Sequence, residues 1–364
     1  MIDGLKQELQ KLEKSAILLG KRSMPLQLVL FVTSRCNMRC DHCFYLDEIN
    51  DSSRTELSIE QIEALAKELG GLHWVALSGG EPYLRQDLVE IIQAFYRYSR
   101  PNIISHVTNG YYPDRVSTMT EKMGASCSQS KVLTIFSLDG LEKTHEEIRH
   151  SPGSFARVKE SIQSVKKHQS RYPNLETGVV ITAQDNNREE LIPLIDYIET
   201  NLKPEGIYIN LQRDHTQPSN VLVDSTTLHH YQEAVAFYEK IQARKKFKGR
   251  KLLDRLLDGK NKIQKRTIAK IAEDNTYQLP CLAGKVSVVV DELGNVYACE
   301  LLKDPMGNLK QQGFRNIWFG ERALRLSDSI IQDKCYCTHE CAMSSSLLYN
   351  APKLVQSMIS GMTG

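Results

Sequence analysis

Three cysteines in the first part of the chain have a spacing that could hold a metal cluster. Cys36, Cys40 and Cys43 form a C-x3-C-x2-C pattern directly after the apolar run 28–32. Three thiolates in one loop can ligate three irons of a cubane cluster, which leaves the fourth iron without a protein ligand. A catalytic metal needs such an open position. The alternatives are a zinc knuckle and a ferredoxin-like cluster that lacks its fourth ligand.

A second group of cysteines lies towards the other end of the chain. Its spacing is C-x2-G, then G-x4-C, then a late C-x-C-x3-C. This density indicates a metal site rather than disulfides, with zinc as the alternative to iron. Cys127 stands alone, and a single free cysteine is usually buried and inert; hydrogen-atom donation is its other reading. The cysteines of the second group are Cys281, Cys299, Cys335, Cys337 and Cys341.

Composition narrows the class of protein. The chain has 364 residues, of which 41% are hydrophobic and 25% charged, as in a globular protein with a large core. A net charge of +2 gives no global sign of DNA binding. No secretory signal and no apolar run of membrane-spanning length is visible, and the nine cysteines are an odd number. We therefore expect a cytoplasmic protein without a transmembrane segment, either a monomer or a homodimer.

An alternation of strands and helices supplies the positions for these residues. Six βα repeats predict a parallel sheet with helices outside, and six units fall short of the eight of a closed barrel. We therefore predict an α/β fold, a partial (β/α)6 TIM-like barrel, with its chemistry at the carboxyl ends of the strands. The predicted strands are 28–32, 74–77, 103–107, 132–138, 178–182 and 207–211, and the helices are 5–19, 58–69, 88–98, 115–123, 155–168 and 189–199. Ser58 and Gln61 predict a capping-box-like start for helix 58–69, and a hairpin is predicted from 286–290 and 296–299.

Polar or glycine-rich motifs follow five of these predicted strands. The two glycines after the second strand would allow a ligand to approach the backbone, and Glu81 offers an acceptor for an ammonium group. Each motif alone also fits a tight turn, a helix cap or a solvated loop. The motif residues are Ser78, Gly79, Gly80, Glu81, Pro82, Thr108, Asn109, Ser137, Asp139, Thr182, Gln212 and Arg213.

Taken with these motifs, the first cysteine loop resembles that of the radical S-adenosylmethionine (SAM) superfamily, whose signature is C-x3-C-x-Φ-C, with His42 at the aromatic position. The resemblance implies a 4Fe–4S cluster whose open iron chelates SAM, catalytic roles for Cys36, Cys40 and Cys43, and a flavodoxin or ferredoxin-type electron donor. Cleavage of SAM would give a 5′-deoxyadenosyl radical that abstracts a substrate hydrogen. It also implies that SAM is bound by the GGEP motif through Glu81, and by His42, Ser78, Gly79, Gly80, Pro82, Thr108, Asn109, Ser137, Asp139, Thr182 and Gln212.

The second cysteine group resembles the SPASM/twitch extension of that superfamily. Five cysteines are too few for the two clusters of a full SPASM domain, so we expect one auxiliary 4Fe–4S cluster in a small α+β domain. The resemblance places Cys281, Cys299 and Cys341 among its ligands and leaves the fourth open between Cys335 and Cys337.

Changes in composition suggest four segments. These are a helical lead-in (1–24), the barrel (25–222), a basic helical connector (223–275) and the auxiliary-cluster domain (276–364). Twelve Lys and Arg lie between 244 and 270, against Asp254 and Asp258. This run is typical of a solvated helix face, and its alternative is a surface for an anionic partner.

Three substrate classes remain open at this point. A single auxiliary cluster, and too little chain before the first strand for a leader-binding module, favour oxidation or epimerisation of an alcohol or sugar-like small molecule. The first alternative is a maturase of ribosomally made peptides, since the stretch from Ser137 to Arg149 resembles such enzymes. The second alternative is an anionic lipid or RNA substrate. A non-enzymatic redox protein would need a fourth ligand in the first loop, which is missing.

Overall fold

The computed structural model describes residues 22–51, 53–213, 223–245 and 252–350. The predicted lead-in helix over residues 5–19 and the middle of the basic run lie outside this range. None of the described helices combines the length and the apolar character that a membrane span requires.

In the part of the chain that the structure describes, nine strands form one open sheet in the spatial order β6-β5-β4-β3-β2-β1-β7-β8-β9. β1 to β6 are parallel and adjacent in chain order, which confirms the predicted α/β partial barrel. The strands are β1 (Gln27–Thr33), β2 (Trp74–Gly79), β3 (Ile103–Thr108), β4 (Lys131–Ser137), β5 (Leu175–Ala183), β6 (Gly206–Leu211), β7 (Ser287–Val290), β8 (Asn295–Tyr297) and β9 (Gly307–Asn308).

Helices connect and cover these strands. Ser58 caps the first helix and forms a capping box with Gln61, as the sequence predicts. The helices are α1 (Ile59–Leu69), α2 (Leu88–Tyr98), α3 (Pro113–Ser126), α4 (Glu142–Arg149), α5 (Ser154–Gln169), α6 (Leu191–Tyr197), α7 (Ser225–Lys245), α8 (Leu252–Asp274), α9 (Phe314–Trp318), α10 (Glu321–Gln332) and α11 (Glu340–Leu348).

The two faces of the sheet have different roles. On β6, Ile207, Ile209 and Leu211 are buried in the main apolar core, whereas Tyr208 on the opposite face is 39% exposed. Alternating burial of this kind recurs on β2 and β5. Because side chains alternate along a strand, one face packs on the helices and the other lines the concave inside of the barrel.

The hairpin of β7 and β8 is predicted, but its place in the fold is not. β7 pairs parallel with β1 from Gln27↔Ser287 to Leu30↔Val290, so the hairpin extends the barrel sheet. Glu292 at its turn is fully buried, forms an ion pair with Arg54 (2.5 Å) and accepts a hydrogen bond from the Tyr45 hydroxyl. The C-terminal region therefore braces the loop that follows β1.

Candidate functional site

The first cysteine loop lies between β1 and α1 and is shaped by its own backbone. The Cys36 N–H donates to Asn50 Oδ1 (3.0 Å), and Asn50 Nδ2 donates back to the Cys36 carbonyl (2.9 Å). The Cys43 N–H closes a tight turn on the Cys40 carbonyl (3.1 Å). Burial, aided by the neighbouring Cys40 and Cys43, raises the pKa of Cys36 to about 12. Three thiols therefore share one small, partly buried loop.

A buried ion pair stands directly behind this loop. Arg149 donates from Nε (2.9 Å) and Nη2 (2.6 Å) to Asp139 Oδ2, and its Nη1 lies 3.7 Å from Cys40 Sγ. The Thr182 N–H donates to the other oxygen of Asp139 (2.8 Å), and His42 Nε2 lies 3.8 Å from Oδ2. Burial raises the pKa of Asp139, but Arg149 outweighs it and the net shift is downward. A guanidinium this close to a thiol favours the thiolate.

The two glycines at the end of β2 hold the cysteine loop against the sheet. A Cβ on Gly79 would collide with the Thr33 carbonyl oxygen, and one on Gly80 with that of Arg35. Gly79 also has φ +117°, which only glycine adopts without strain. The Gly80 N–H donates to Thr33 (2.7 Å) and the Glu81 N–H to Arg35 (2.8 Å). These glycines therefore allow the end of β2 to lie close to the backbone at the start of the cysteine loop.

Glu81 is a buried acceptor that joins the ends of β2 and β3. Its Oε1 accepts from the Tyr83 N–H (3.0 Å) and the Thr108 hydroxyl (2.8 Å), and its Oε2 from the Asn109 N–H (2.7 Å). Burial raises the pKa of this carboxyl group. Three protein donors therefore form hydrogen bonds with the carboxylate of Glu81. Its contact with the SAM ammonium group stays a prediction.

The remaining predicted contacts lie along the same edge of the sheet. Asn109 Nδ2 donates to Asn37 Oδ1 in the cysteine loop (2.9 Å). Ser137 is buried at the end of β4, and the Gln212 N–H after β6 donates to the Ala183 carbonyl (2.9 Å). Their roles in SAM binding stay predictions, as do those of Ser78, Gly79, Gly80, Pro82, Thr108, Asp139, Thr182 and His42.

The second cysteine group is gathered from three separate segments. Cys281, Cys335 and Cys337 line one small cavity, and Cys337 also packs in an apolar cluster with Cys281 and Cys299. Burial raises the pKa values of Cys299, Cys335 and Cys337, and the neighbouring Cys281 contributes to each increase. Cys341, at the start of α11, is surrounded by charges instead: burial raises its pKa, with opposing effects from Glu300 and Arg213. Which four of the five cysteines bind iron stays a prediction.

The structure bears on two residues, Cys127 and Arg213, for which the sequence left more than one interpretation. Cys127 is fully buried in the apolar core at the end of α3, where burial raises its pKa to about 11. Arg213 is half-buried and forms ion pairs with Glu300 and Glu340, so the interpretation of this residue as part of a solvated loop is wrong. The sequence gives no periodicity signal for these pairs because their partners lie far along the chain.

The chemistry of the donor set bears on which metal the thiols could hold. Among the residues that the structure describes, no three Cys, His, Asp or Glu side chains converge closely enough to hold a single metal ion. Tetrahedral zinc draws its ligands onto one atom, whereas each thiolate of a cubane binds its own iron. Three thiols in one loop and five in another region supply the type of ligand that iron–sulfur clusters use.

Comparison with known proteins agrees with this chemistry. The model of the radical SAM superfamily matches residues 30–198, and that of the SPASM iron–sulfur cluster-binding domain matches residues 281–342. These ranges together cover more than half of the chain. The chain therefore belongs to the radical SAM superfamily and carries a C-terminal SPASM-type iron–sulfur domain. Its cofactors are a SAM-binding 4Fe–4S cluster, an auxiliary 4Fe–4S cluster and SAM itself.

Three relatives differ in how much of the chain they match. The Fe-coproporphyrin III synthase of Methanosarcina barkeri is 27% identical and covers 56% of this chain and 48% of its own length. The subtilosin biosynthesis protein AlbA of Bacillus subtilis is 22% identical and covers 87% and 66%. The mycofactocin maturase MftC of Mycolicibacterium smegmatis is 25% identical and covers 81% and 70%. The chain thus spans between about half and 70% of these relatives' lengths.

Two solved structures share the fold. Streptococcus suis SuiB bound to its precursor peptide SuiA superposes with a TM-score of 0.58 at 17% identity, over 86% of this chain and 69% of that one. The protein anSMEcpe with bound AdoMet and the Cp18Cys peptide gives a TM-score of 0.60 at 17% identity, over 93% and 97%. At this level of identity, the likeness establishes the fold alone.

Proposed function

We propose that this protein is a radical SAM maturase that modifies a peptide. The observation that carries the proposal is the extent of the matches. Two relatives that match more than four-fifths of the chain are a bacteriocin biosynthesis protein and a maturase, whereas the Fe-coproporphyrin III synthase matches 56%. The long matches extend beyond the six-stranded barrel, so they support the peptide alternative over the alcohol or sugar substrate predicted from the sequence.

The fold comparisons point the same way. Two structures that share this fold over 86% and 93% of the chain hold a peptide. The inner face of the barrel agrees with a large substrate, because Tyr208 on its edge strand β6 is 39% exposed. An open edge admits an extended chain more readily than a sealed cavity does.

In this proposal, the first loop binds the SAM-cleaving cluster. Cys36, Cys40 and Cys43 are its three protein ligands, and Asn50 fixes the backbone on both sides of Cys36. Arg149 holds a positive charge beside Cys40, which stabilises the anionic ligand. When bound, the cluster supplies the electron that cleaves SAM to methionine and a 5′-deoxyadenosyl radical, which takes a hydrogen atom from the substrate.

Other residues of the chain orient SAM and keep water out. The ends of β2 to β5 carry Ser78, Thr108, Ser137 and Thr182 on the edge of the sheet that faces the loop. Glu81 keeps two of these strand ends in register through its three hydrogen bonds. Parallel sheets bind their ligands at this edge.

The second region would hold the auxiliary cluster. Cys281, Cys299, Cys335 and Cys337 are neighbours, and Cys341 completes the set of five candidates. Their apolar surroundings shield the thiols from solvent. Metal binding deprotonates them, because the thiolate is the form that ligates iron. The spare cysteine is identified by replacing each in turn and counting iron.

The basic run offers less support for an anionic lipid or RNA substrate. In the part that the structure describes, Lys260 is buried and donates to Gln264 Oε1 (2.8 Å). Lys265 lies over the ring of Tyr238 (4.7 Å), and Arg266 pairs with Glu239 (3.7 Å). Lys260 and Lys265 are thus engaged within the protein, whereas Arg266 keeps 70% of its side chain exposed, so the three cations do not form one exposed basic surface.

The test uses anaerobically reconstituted protein with SAM and dithionite. The probes are synthetic peptides translated from the short open reading frames that flank its gene, set against a panel of sugars and alcohols. We expect one peptide to raise 5′-deoxyadenosine formation and to change mass in equal amount. Stimulation by a sugar or alcohol, with every peptide left unmodified, would contradict the proposal. The Cys40→Ala protein serves as the inactive control.

A further inference from the structure

One arginine at the end of β6 lies between the two cysteine-bearing regions. Arg213 Nη2 is 2.6 Å from Glu300 Oε1, and its Nη1 is 3.3 Å from Glu340 Oε2. Glu300 directly follows Cys299, and Glu340 directly precedes Cys341. The guanidinium therefore joins the last barrel strand to two segments that carry cysteines of the second group.

The same guanidinium reaches the first cysteine loop. Its Cζ lies 5.7 Å from the centre of the Phe44 ring, within the range of a cation–π contact. Phe44 directly follows Cys43 and packs against Phe31 of β1 with ring centres 5.8 Å apart. The loop side of the contact is thus anchored on the sheet.

The charged groups in these contacts are largely removed from solvent. The side chains of Glu300, Arg213 and Glu340 are 6%, 18% and 19% exposed. His339, 4% exposed, shares a hydrogen bond with Glu300. A buried carboxylate without a cation is strongly unfavourable, and arginine stays charged at any physiological pH. Lys260 approaches from α8, where Gln264 links it to the Glu340 carbonyl (3.1 Å).

We propose that Arg213 is a positioning residue that couples the two iron–sulfur sites, holding Glu300 and Glu340 beside the auxiliary cysteines and anchoring them on Phe44 of the SAM-cluster loop. The inference rests on the ligand sets of the proposed function. Reduction adds a negative charge to a cluster, so a fixed cation nearby stabilises the reduced form. Arg213 therefore keeps the auxiliary cluster easier to reduce than its two acidic neighbours alone would allow.

The experiment is a redox titration of the anaerobic holoprotein followed by electron paramagnetic resonance. The auxiliary cluster is recognised as the signal that added SAM does not change. In Arg213→Gln we expect its midpoint potential to become more negative while iron stays at about eight per chain. Glu300→Gln should shift it in the opposite direction, and the double variant should return close to the wild-type value.

Two further variants locate the effect. Phe44→Leu removes the aromatic anchor and should give a smaller shift in the same direction as Arg213→Gln. Arg171→Gln is the matched control, since Arg171 forms an exposed pair with Glu121 and should leave the potential unchanged. No shift in Phe44→Leu would remove the link to the SAM-cluster loop.

The outcomes separate this inference from the proposed function. Eight irons with an unchanged potential in Arg213→Gln would overturn the role of Arg213 and leave the ligand sets intact. A wild-type protein with only four irons would overturn the auxiliary cluster itself. If Arg213→Gln does not assemble, Glu300→Gln carries the test, and an unchanged potential in that variant contradicts the proposal.

Discussion

The two cysteine regions differ in the number of their thiols and in how the chain brings them together. The first places three thiols within eight residues on a loop that β1, β2 and Asn50 hold through backbone hydrogen bonds. The second draws five thiols from segments spread over 61 residues and packs several of them in an apolar cluster. A site that lacks a fourth ligand leaves an iron open for catalysis, whereas a site with a surplus can close its cluster. The number of thiols thus distinguishes a region that can leave one iron open from a region that can ligate every iron of its cluster.

The largest effect is expected from the first loop. Replacing Cys36, Cys40 or Cys43 by alanine should reduce 5′-deoxyadenosine formation to the level without enzyme, because the cluster loses a ligand. Iron should fall from about eight to about four per chain, since the second region is untouched. Iron analysis and chromatography of the reaction measure both quantities.

The control for this prediction is Cys127→Ala, at a cysteine buried in the apolar core. It should keep both the iron content and the SAM cleavage of the parent protein. SAM cleavage that survives in any first-loop variant would refute the assignment of that cysteine.

The second region should behave in the opposite way. Cys281→Ala should also lower iron to about four per chain, because Cys281, like Cys337, belongs to both the cavity and the apolar cluster. Reductive cleavage of SAM without substrate should nevertheless continue. Cleavage that disappears together with the auxiliary iron would show that the two regions are not independent.

A smaller effect concerns stability behind the first loop. Arg149→Met leaves the buried Asp139 carboxylate without its cation, so we expect the free energy of unfolding to fall by about 3–5 kcal/mol. The exposed pair of Arg171 and Glu121 offers the control, and Arg171→Met should cost at most about 1 kcal/mol. Urea denaturation of the holoproteins measures both. A loss below 1 kcal/mol in Arg149→Met would mean that the pair contributes little to the site.

The smallest effect is a pH dependence of stability. His106 is fully buried between Tyr83 and Thr134, and burial lowers its pKa to about 3 from an ordinary 6.5. The unfolded chain therefore takes up a proton below pH 6.5 that the folded chain refuses, and stability falls as the pH drops. His106→Gln should reduce this slope by up to about 1.4 kcal/mol per pH unit between pH 6 and 4.5. An identical slope in both proteins, measured by urea denaturation, would contradict a neutral His106.

The features that could be predicted from the sequence depend on residues that lie close together in the chain. The capping box at Ser58, the order of the six parallel strands and the three-cysteine loop all follow from spacing or periodicity within short windows. Sequence reasoning missed α4, a helix of eight residues, and with it the reason that Arg149 meets Asp139 and Cys40. A single short helix after a strand gives too few periodic positions to be recognised.

What the sequence could not give depends on contacts between distant segments. The pairing of β7 with β1 joins residues about 260 positions apart, and no local pattern encodes it. The same holds for Glu292 with Tyr45 and Arg54, and for Arg213 with Glu300. These contacts link the two cysteine regions, so their mutual arrangement is a property of the fold rather than of either motif.

The central claim is that the first loop leaves one iron open for SAM. Pulsed electron–nuclear double resonance on the reduced protein, with SAM labelled by 15N at the amino group and 17O at the carboxylate, tests it most directly. We predict coupling of both labels to the cluster, and none in Cys40→Ala. A cluster signal with no coupling to either label would mean that a protein side chain already occupies the fourth iron, and the assignment of this loop would be wrong.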